Sequence, residues 1–385
     1  MQNVYALVDC DSFFVSCEQA VCPELKGKAV CVTGGVNGCV VSRSKEAKKT
    51  GLPMGYPVFM AQKEFKNVIY IEGNHERYKE FSKRVFSVLK DFSPTVEVCS
   101  IDEAYVDFTG LCKLYKMNYY DLAKFLRKRI LDEVDIPVSI GVSTSKTLAK
   151  YASDYAKNQN GVYLIGKSKL KKVLPTTKIE DISGIGRRMK IALNKEGIIT
   201  CAEFIQKSDE WLKNKFPITL VELKHELLGE TINKISPEYK VPKSIQETSS
   251  FAPATNEIPY LKNELNKHIK DACRKLRKHN VKTSQVGVML KTKDFIVYSD
   301  KKNLDYAMNL ELEISKTIFA LFENIYNPNL LYRSTGVFFT NLSSAEFVQG
   351  GLFSDKSSEK FDKLSASIDK IEAKFGKGSI KTGFM

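Results

Sequence analysis

Two periods of apolar residues run along this chain. Val4-Tyr5-Ala6-Leu7-Val8 is a short continuous apolar run that reads as a buried strand, and Asp9-Cys10-Asp11 follows it directly. Val96-Glu97-Val98-Cys99 and Tyr105-Val106-Asp107-Phe108 alternate, with apolar and aromatic residues on one face, as strands do. Helical spacing runs from Tyr78 to Leu89 and ends at Ser93-Pro94. It returns from Tyr120 to Leu131, with Leu122, Phe125, Leu126 and Ile130 on one side. Pro137-Val138-Ser139-Ile140-Gly141-Val142 is a further strand. The order strand, helix, two strands, helix, strand matches a ferredoxin-like sheet.

Other stretches are broken up differently. Pro23, Gly27, Gly34, Gly35 and Gly38 punctuate residues 20–76 with turns. Between them lie two short strands, ending at Val32 and Ser42, and a short helix, Ser44–Lys49, stopped by Gly51 and Pro53. Residues 166–237 read as helical. Asp181-Ile182-Ser183-Gly184-Ile185-Gly186-Arg187-Arg188, followed by a helix to Lys195, is a helix-hairpin-helix pattern. Its glycines let the backbone come close, and N–H groups at a helix start can bind a phosphate. From 244 to 341, strand and helix patterns alternate. The helix Asn263–Lys278 keeps Leu265, Ile269, Ala272 and Leu276 for its own sheet.

Composition narrows the function. A chain of 385 residues with 43% hydrophobic residues suggests two to four folded domains. No apolar run approaches a membrane span, and no signal peptide is expected ahead of the first strand. Nine cysteines at irregular spacing, with no Cys-x-x-Cys, read as small thiols in a reducing compartment such as the cytoplasm. Cys10, Cys31, Cys39 and Cys99 are expected to be buried in strand patterns. The four histidines form no metal-ligand cluster. A formal charge of +14 points to a polyanion, an acidic protein or a membrane surface, and does not choose among them. Within Lys262–Lys293 ten basic residues face two acids, a density that suits a nucleic-acid backbone.

The candidate chemistry is acidic. Asp102 and Glu103 are adjacent between two strand patterns, so a tight turn is expected to bring both carboxylates to one place. Like charges held together repel unless a cation lies between them, and hard cations such as Mg²⁺ take oxygen ligands. An acid at the end of a buried strand, with an acid pair at a hairpin tip, is what two-metal phosphoryl transfer needs. Ordinary solvated turn acids would look the same at this level.

Taken with their spacing, Asp9-Cys10-Asp11-Ser12-Phe13-Phe14 and Ser100-Ile101-Asp102-Glu103-Ala104-Tyr105 resemble the Y-family of translesion DNA polymerases. Asn37-Gly38-Cys39-Val40-Val41-Ser42-Arg43-Ser44-Lys45-Glu46-Ala47-Lys48 is similar to the bacterial UmuC-like branch. The resemblance runs from residue 1 to about 355. It implies an α+β multidomain, right-hand polymerase. Residues 1–12 and 77–165 would form a ferredoxin-like catalytic palm, 13–76 small fingers, and 166–237 a helical thumb. Residues 238–243 would be a linker, 244–341 an α/β little finger that binds DNA, and 342–385 a tail.

The resemblance also implies roles. Asp9, Asp102 and Glu103, with the Cys10 backbone carbonyl, would hold two Mg²⁺ ions; Asp11 lies where it could join. Phe14, five residues after Asp9, would be the steric gate against a 2′-hydroxyl. Ser42, Lys45, Lys48 and Lys157 would bind the triphosphate, although Asn158 stands where the family often has proline. Gly184, Gly186, Arg187 and Arg188, with Arg274, Lys275, Arg277, Lys278 and Lys282, would contact primer–template DNA. Gln349, Leu352 and Phe353 resemble the peptide that holds the bacterial sliding clamp, with Gly350 where leucine is usual. Deoxynucleoside triphosphates are the expected substrates, an accessory subunit a possible further partner, and low fidelity in an SOS-type damage response the expected setting. A non-catalytic DNA-binding or clamp-bound scaffold, or a nucleotide cyclase, would share some of these features. Neither needs the acids, the aromatic gate, the lysines and the hairpin together.

Overall fold

The computed structural model describes residues 3–35, 38–238 and 241–345, together with 367, 368, 370–372, 374–376 and 379. The chain divides into two compact units, 1–238 and 239–385. Gln349, Leu352 and Phe353 lie outside the described residues.

The first unit is built on a five-stranded sheet. Its strands are β1 (Tyr5–Cys10), β5 (Val96–Val98), β6 (Glu103–Asp107), β7 (Val138–Ser143) and β8 (Val162–Leu164), in the spatial order β5-β6-β1-β7-β8. Three more strands, β2 (Val30–Thr33), β3 (Val40–Arg43) and β4 (Ile69–Glu72), form a separate small sheet in the order β3-β2-β4. All six residues of β1 are buried, so the apolar run is continuous because both faces are covered. Ala6, Val8 and Cys10 join one core with Leu122, Leu126 and Ile130 of the helix Tyr119–Val134 and Val85 and Leu89 of the helix His75–Phe92. Phe125 departs from the expected apolar stripe. It is 40% exposed and packs at the margin against Phe92 and Tyr115.

Period-two alternation turns Asp9 to the opposite face from Val8 and Cys10. The helix Lys146–Ala156 lies close against β7 at Gly141. A Cβ there would fall 2.0 Å from the Ser153 nitrogen and 2.3 Å from the Ala149 carbonyl oxygen. Only a hydrogen on that Cα lets helix and strand approach so far. A third cluster packs Leu148 and Ala152 of this helix with Leu170, Leu193, Phe204 and Leu227 from the helical region that follows.

The second unit carries β9 (Ile245–Thr255), β10 (Val281–Thr292), β11 (Val297–Met308) and β12 (Tyr332–Ser344), in the order β11-β10-β12-β9. The helices Ile258–Lys278 and Glu311–Ile325 supply Leu265, Ile269, Ala272, Leu276, Ile314 and Ile318 to its core, all fully buried. Among the described residues no helix is long and apolar enough to cross a membrane. The cysteines are free thiols, but not uniformly buried. Cys10 and Cys31 are, Cys39 is half-buried, and Cys99 is exposed because β5 ends at Val98 and the turn lifts the next residue out.

Candidate active site

Register brings the acids together. β1 pairs antiparallel with β6, and Asp9 lies directly opposite Glu103, so both carboxylates share one face. The Cys10 N–H donates to the Asp102 carbonyl at 2.9 Å. The turn between β5 and β6 is tight: the Cys99 and Ser100 N–H groups both donate to the Glu103 carbonyl. The Ser100 hydroxyl accepts from the N–H of Asp102 and of Glu103, at 3.2 and 3.1 Å, and itself donates to the Asp102 carboxylate. Local side-chain bonding of this kind fixes the hairpin tip that carries the acid pair.

Two ammonium groups close over these acids. Lys150 Nζ lies 3.0 Å from Asp9 Oδ2 and 2.6 Å from Glu103 Oε2. Lys157 Nζ lies 3.0 Å from Asp9 Oδ2 and 3.0 Å from Asp154 Oδ1. Burial opposes the charge on both lysines, but the carboxylates outweigh it and hold both ammonium groups above their ordinary range. Sequence reasoning names Lys157 and misses Lys150. A signal for it exists: positions seven apart on a helix are two turns apart and share a face.

Among the described residues no three His, Cys, Asp or Glu side chains converge on one point. The cation between Asp9 and Glu103 is the Lys150 ammonium. The groups around it are carboxylates, hard oxygens that suit Mg²⁺. Asp11 points elsewhere. It accepts from the Ser139 hydroxyl at 2.7 Å, and its own N–H donates to the Pro137 carbonyl. Burial raises its carboxyl above the usual range, against the pull of Ser139 and Lys45.

A second cluster is cationic. Ser44 caps the helix Lys45–Lys49 by accepting from the Ala47 N–H at 3.0 Å. Lys48 Nζ reaches the Ser12 hydroxyl at 3.0 Å, and the Ser42 hydroxyl donates to the Ser12 carbonyl at 3.2 Å. Ser12 sits in the left-handed region, φ 48°, at the turn from β1 into the helix Phe13–Val21. Burial lowers the Lys48 ammonium from its ordinary value; Arg43, Lys157 and Lys45 push it further down, and Asp11 opposes them. Like charges crowded in this way are relieved by an anion.

Phe14 is braced from behind. Its ring stacks on Tyr78, with centroids 4.5 Å apart and planes at 17°, and meets His75 edge-on at 6.0 Å. Tyr78 is fully buried, and its hydroxyl donates to Glu18 at 2.7 Å.

The remaining expected contacts divide. Gly184 has φ +98°, Gly186 precedes the helix Arg187–Lys195, and both glycines and both arginines are exposed. On the helix Ile258–Lys278, Arg274 pairs with Asp271 at 2.6 Å and with Glu372. Lys275 pairs with Glu247, and Arg277 donates to the Asn309 carbonyl at 3.5 Å. Lys278 is exposed, and Lys282 is half-buried on β10.

Comparison with known proteins identifies the family. Residues 8–154 match the impB/mucB/samB family model, and residues 242–352 match that family's C-terminal domain. DNA polymerase IV of Dehalococcoides mccartyi (strain CBDB1) is 32% identical over 98% of this chain and 96% of its own length. This chain belongs to the Y-family of DNA polymerases. The polymerase is also 28% identical to Protein UmuC of Salmonella typhimurium, over 98% of this chain and 92% of that protein. A solved Y-family DNA polymerase chimera superposes with a TM-score of 0.74 at 25% identity, covering 89% of the polymerase and 99% of the chimera. The right-hand architecture with a ferredoxin-like palm therefore holds for this polymerase.

Proposed function

We propose that this polymerase adds deoxynucleotides to a primer 3′-hydroxyl by two-metal phosphoryl transfer, at low fidelity, in SOS-type damage tolerance in the cytoplasm. The observation that carries the reading is the Asp9–Glu103 pair, bridged by Lys150 and lying beside the cations Lys157 and Lys48. Asp9, Asp102, Glu103 and the Cys10 carbonyl would hold two Mg²⁺ ions, which supply Lewis acidity for the hydroxyl and charge neutralisation for the phosphates. Lys48, Lys157, Lys45 and the Ser42 hydroxyl bind and orient the triphosphate, offsetting negative charge as it grows. Phe14, fixed against Tyr78, lies under the sugar and leaves no space for a 2′-hydroxyl. Gly184, Gly186, Arg187 and Arg188 hold a DNA phosphate without reading sequence. The basic residues of the second unit, Lys278 and Lys282 foremost, add backbone contacts. Gln349, Leu352 and Phe353 dock on the sliding clamp.

The test is extension of a primed template with Mg²⁺ and four deoxynucleotides, with and without sliding clamp. Extension that stops when Mg²⁺ is chelated supports the reading; no extension under either condition overturns it in favour of a scaffold. Phe14→Ala is expected to relax sugar selection by about 10- to 100-fold, because removing the ring relieves an overpacking cost of about 1–3 kcal/mol. Unchanged ribonucleotide exclusion would place the gate elsewhere.

Lys150→Met carries a different expectation. With no ammonium between them, Asp9 and Glu103 face each other across one strand pair. Stability without divalent cation should fall by about 1–3 kcal/mol, discounted for partial solvent access, and should recover when Mg²⁺ is added. Thermal melts with and without MgCl₂ read this. An equal loss in both would show that Lys150 does not stand in for a metal cation.

A further inference from the structure

A cavity of about 370 Å³ opens at the edge of the palm sheet, lined by Tyr120, Gln159, Asn160, Tyr163 and Lys169 among others. None of these residues belongs to the acid or lysine clusters. β8 is the edge strand, two strands beyond β1, so the cavity lies about 10 Å across the sheet from Asp9. Its Gln159–Asn160 rim lies at the same end of the sheet. Cys10 pairs with Val138 at the start of β7, and Ile140 pairs with Val162 at the start of β8, just after Gln159 and Asn160.

The walls are aromatic and cationic in pairs. Lys124 Nζ sits 4.4 Å from the Tyr120 ring centre, and Lys169 Nζ sits 4.6 Å from that of Tyr163. Tyr155 backs Tyr163, with ring centroids 4.4 Å apart. Tyr120 is 37% exposed, a large aromatic face left in water. The rim is rigid. The Gln159 N–H donates to the Ala156 carbonyl at 2.9 Å, and the Gly161 N–H to the same carbonyl at 3.2 Å. Gly161 has φ +77°, and a Cβ there would fall 2.2 Å from Arg127 Nε. The turn that presents the two amide side chains is thus pressed onto the palm.

We infer that this cleft binds one unpaired nucleotide of a DNA strand, its base stacked on Tyr120 and its phosphate at Lys169, beside Tyr163. Every base offers a π-face, so aromatic walls accept any of the four. Lysine holds phosphate as a point charge, and the Gln159 and Asn160 amides offer donors and acceptors to a base edge. The volume suits a single nucleotide. The net charge of +14 draws a polyanion to the surface in the first place. The turn that forms the rim follows Lys157 directly.

The experiment uses the full chain carrying fluorinated tyrosine, with the Tyr120 and Tyr163 resonances assigned through Tyr120→Phe and Tyr163→Phe. Titration with the tetranucleotide (dT)₄ is expected to shift both resonances. In Tyr120→Ala the Tyr163 resonance should titrate about tenfold more weakly, the loss expected for one stacked base. Lys169→Ser, at an exposed position, should also weaken the titration while single-nucleotide addition to a primed template with a one-nucleotide overhang stays unchanged. The inference is overturned if neither resonance moves, if inorganic phosphate alone produces the same shifts, or if Lys169→Ser titrates like the natural chain.

Discussion

Replacing Asp9 by Asn, or Glu103 by Gln, is expected to slow nucleotide addition by about a thousandfold while leaving primer–template affinity within about twofold. Both side chains lie on one face of the sheet, in register, and share the Lys150 ammonium. Each substitution keeps the shape and removes the charge, so the fold should survive. Catalysis should not, because the cation-binding face then carries one charge fewer where phosphoryl transfer needs it most. Asp11→Asn is the internal control. Its carboxylate accepts from Ser139 on the neighbouring strand and is not a partner of Lys150. Its loss should cost less than about tenfold in rate. Single-turnover incorporation measures the rate and a DNA titration the affinity. Near-natural rates in Asp9→Asn would remove this face from the reaction. A large loss in Asp11→Asn would move the third acid of the site from Asp102 to Asp11.

Gly141→Ala should destabilise the first unit by about 3 kcal/mol or more. Glycine to alanine usually stabilises slightly, through the unfolded chain. Here the sign reverses, because the new methyl meets backbone atoms of Ser153 and Ala149 at 2.0 and 2.3 Å. Backbone cannot swing aside as a flexible side chain does. The helix Lys146–Ala156 must lift from β7, and it carries Lys150 and leads into Lys157. Loss of stability should therefore be accompanied by loss of activity, even at temperatures where the variant remains folded. Denaturant unfolding and primer extension at low temperature read the two separately. Natural stability would mean that the helix has room to spare at this point.

Much of the site is legible in the order of residues. A buried strand ending in Asp9, and alternating stretches on either side of Asp102-Glu103, place acids at strand ends by pattern alone. The apolar stripe Leu265, Ile269, Ala272 and Leu276 falls on the core as its spacing requires. Hydrophobic period reports which side of an element is buried, and it does so reliably where burial is complete. It fails at margins, where Phe125 is apolar yet 40% exposed.

What faces what is a different quantity. Lys150 is one lysine among many along the chain, and it becomes a bridge only because Gly141 lets its helix close on the sheet beside Asp9. Tyr78 is one more helical aromatic until folding lays it under Phe14. The basic run on the helix Ile258–Lys278 has the spacing of one open face, but Asp271, Glu247 and Glu372 engage Arg274 and Lys275 within the unit. Strands, helices and the acids at their ends follow from the amino-acid order, because periodicity and turn chemistry act over a few residues. Which charges meet does not follow from it. Coulomb energy depends on distances of a few ångströms, and those are set by packing between segments far apart in the chain.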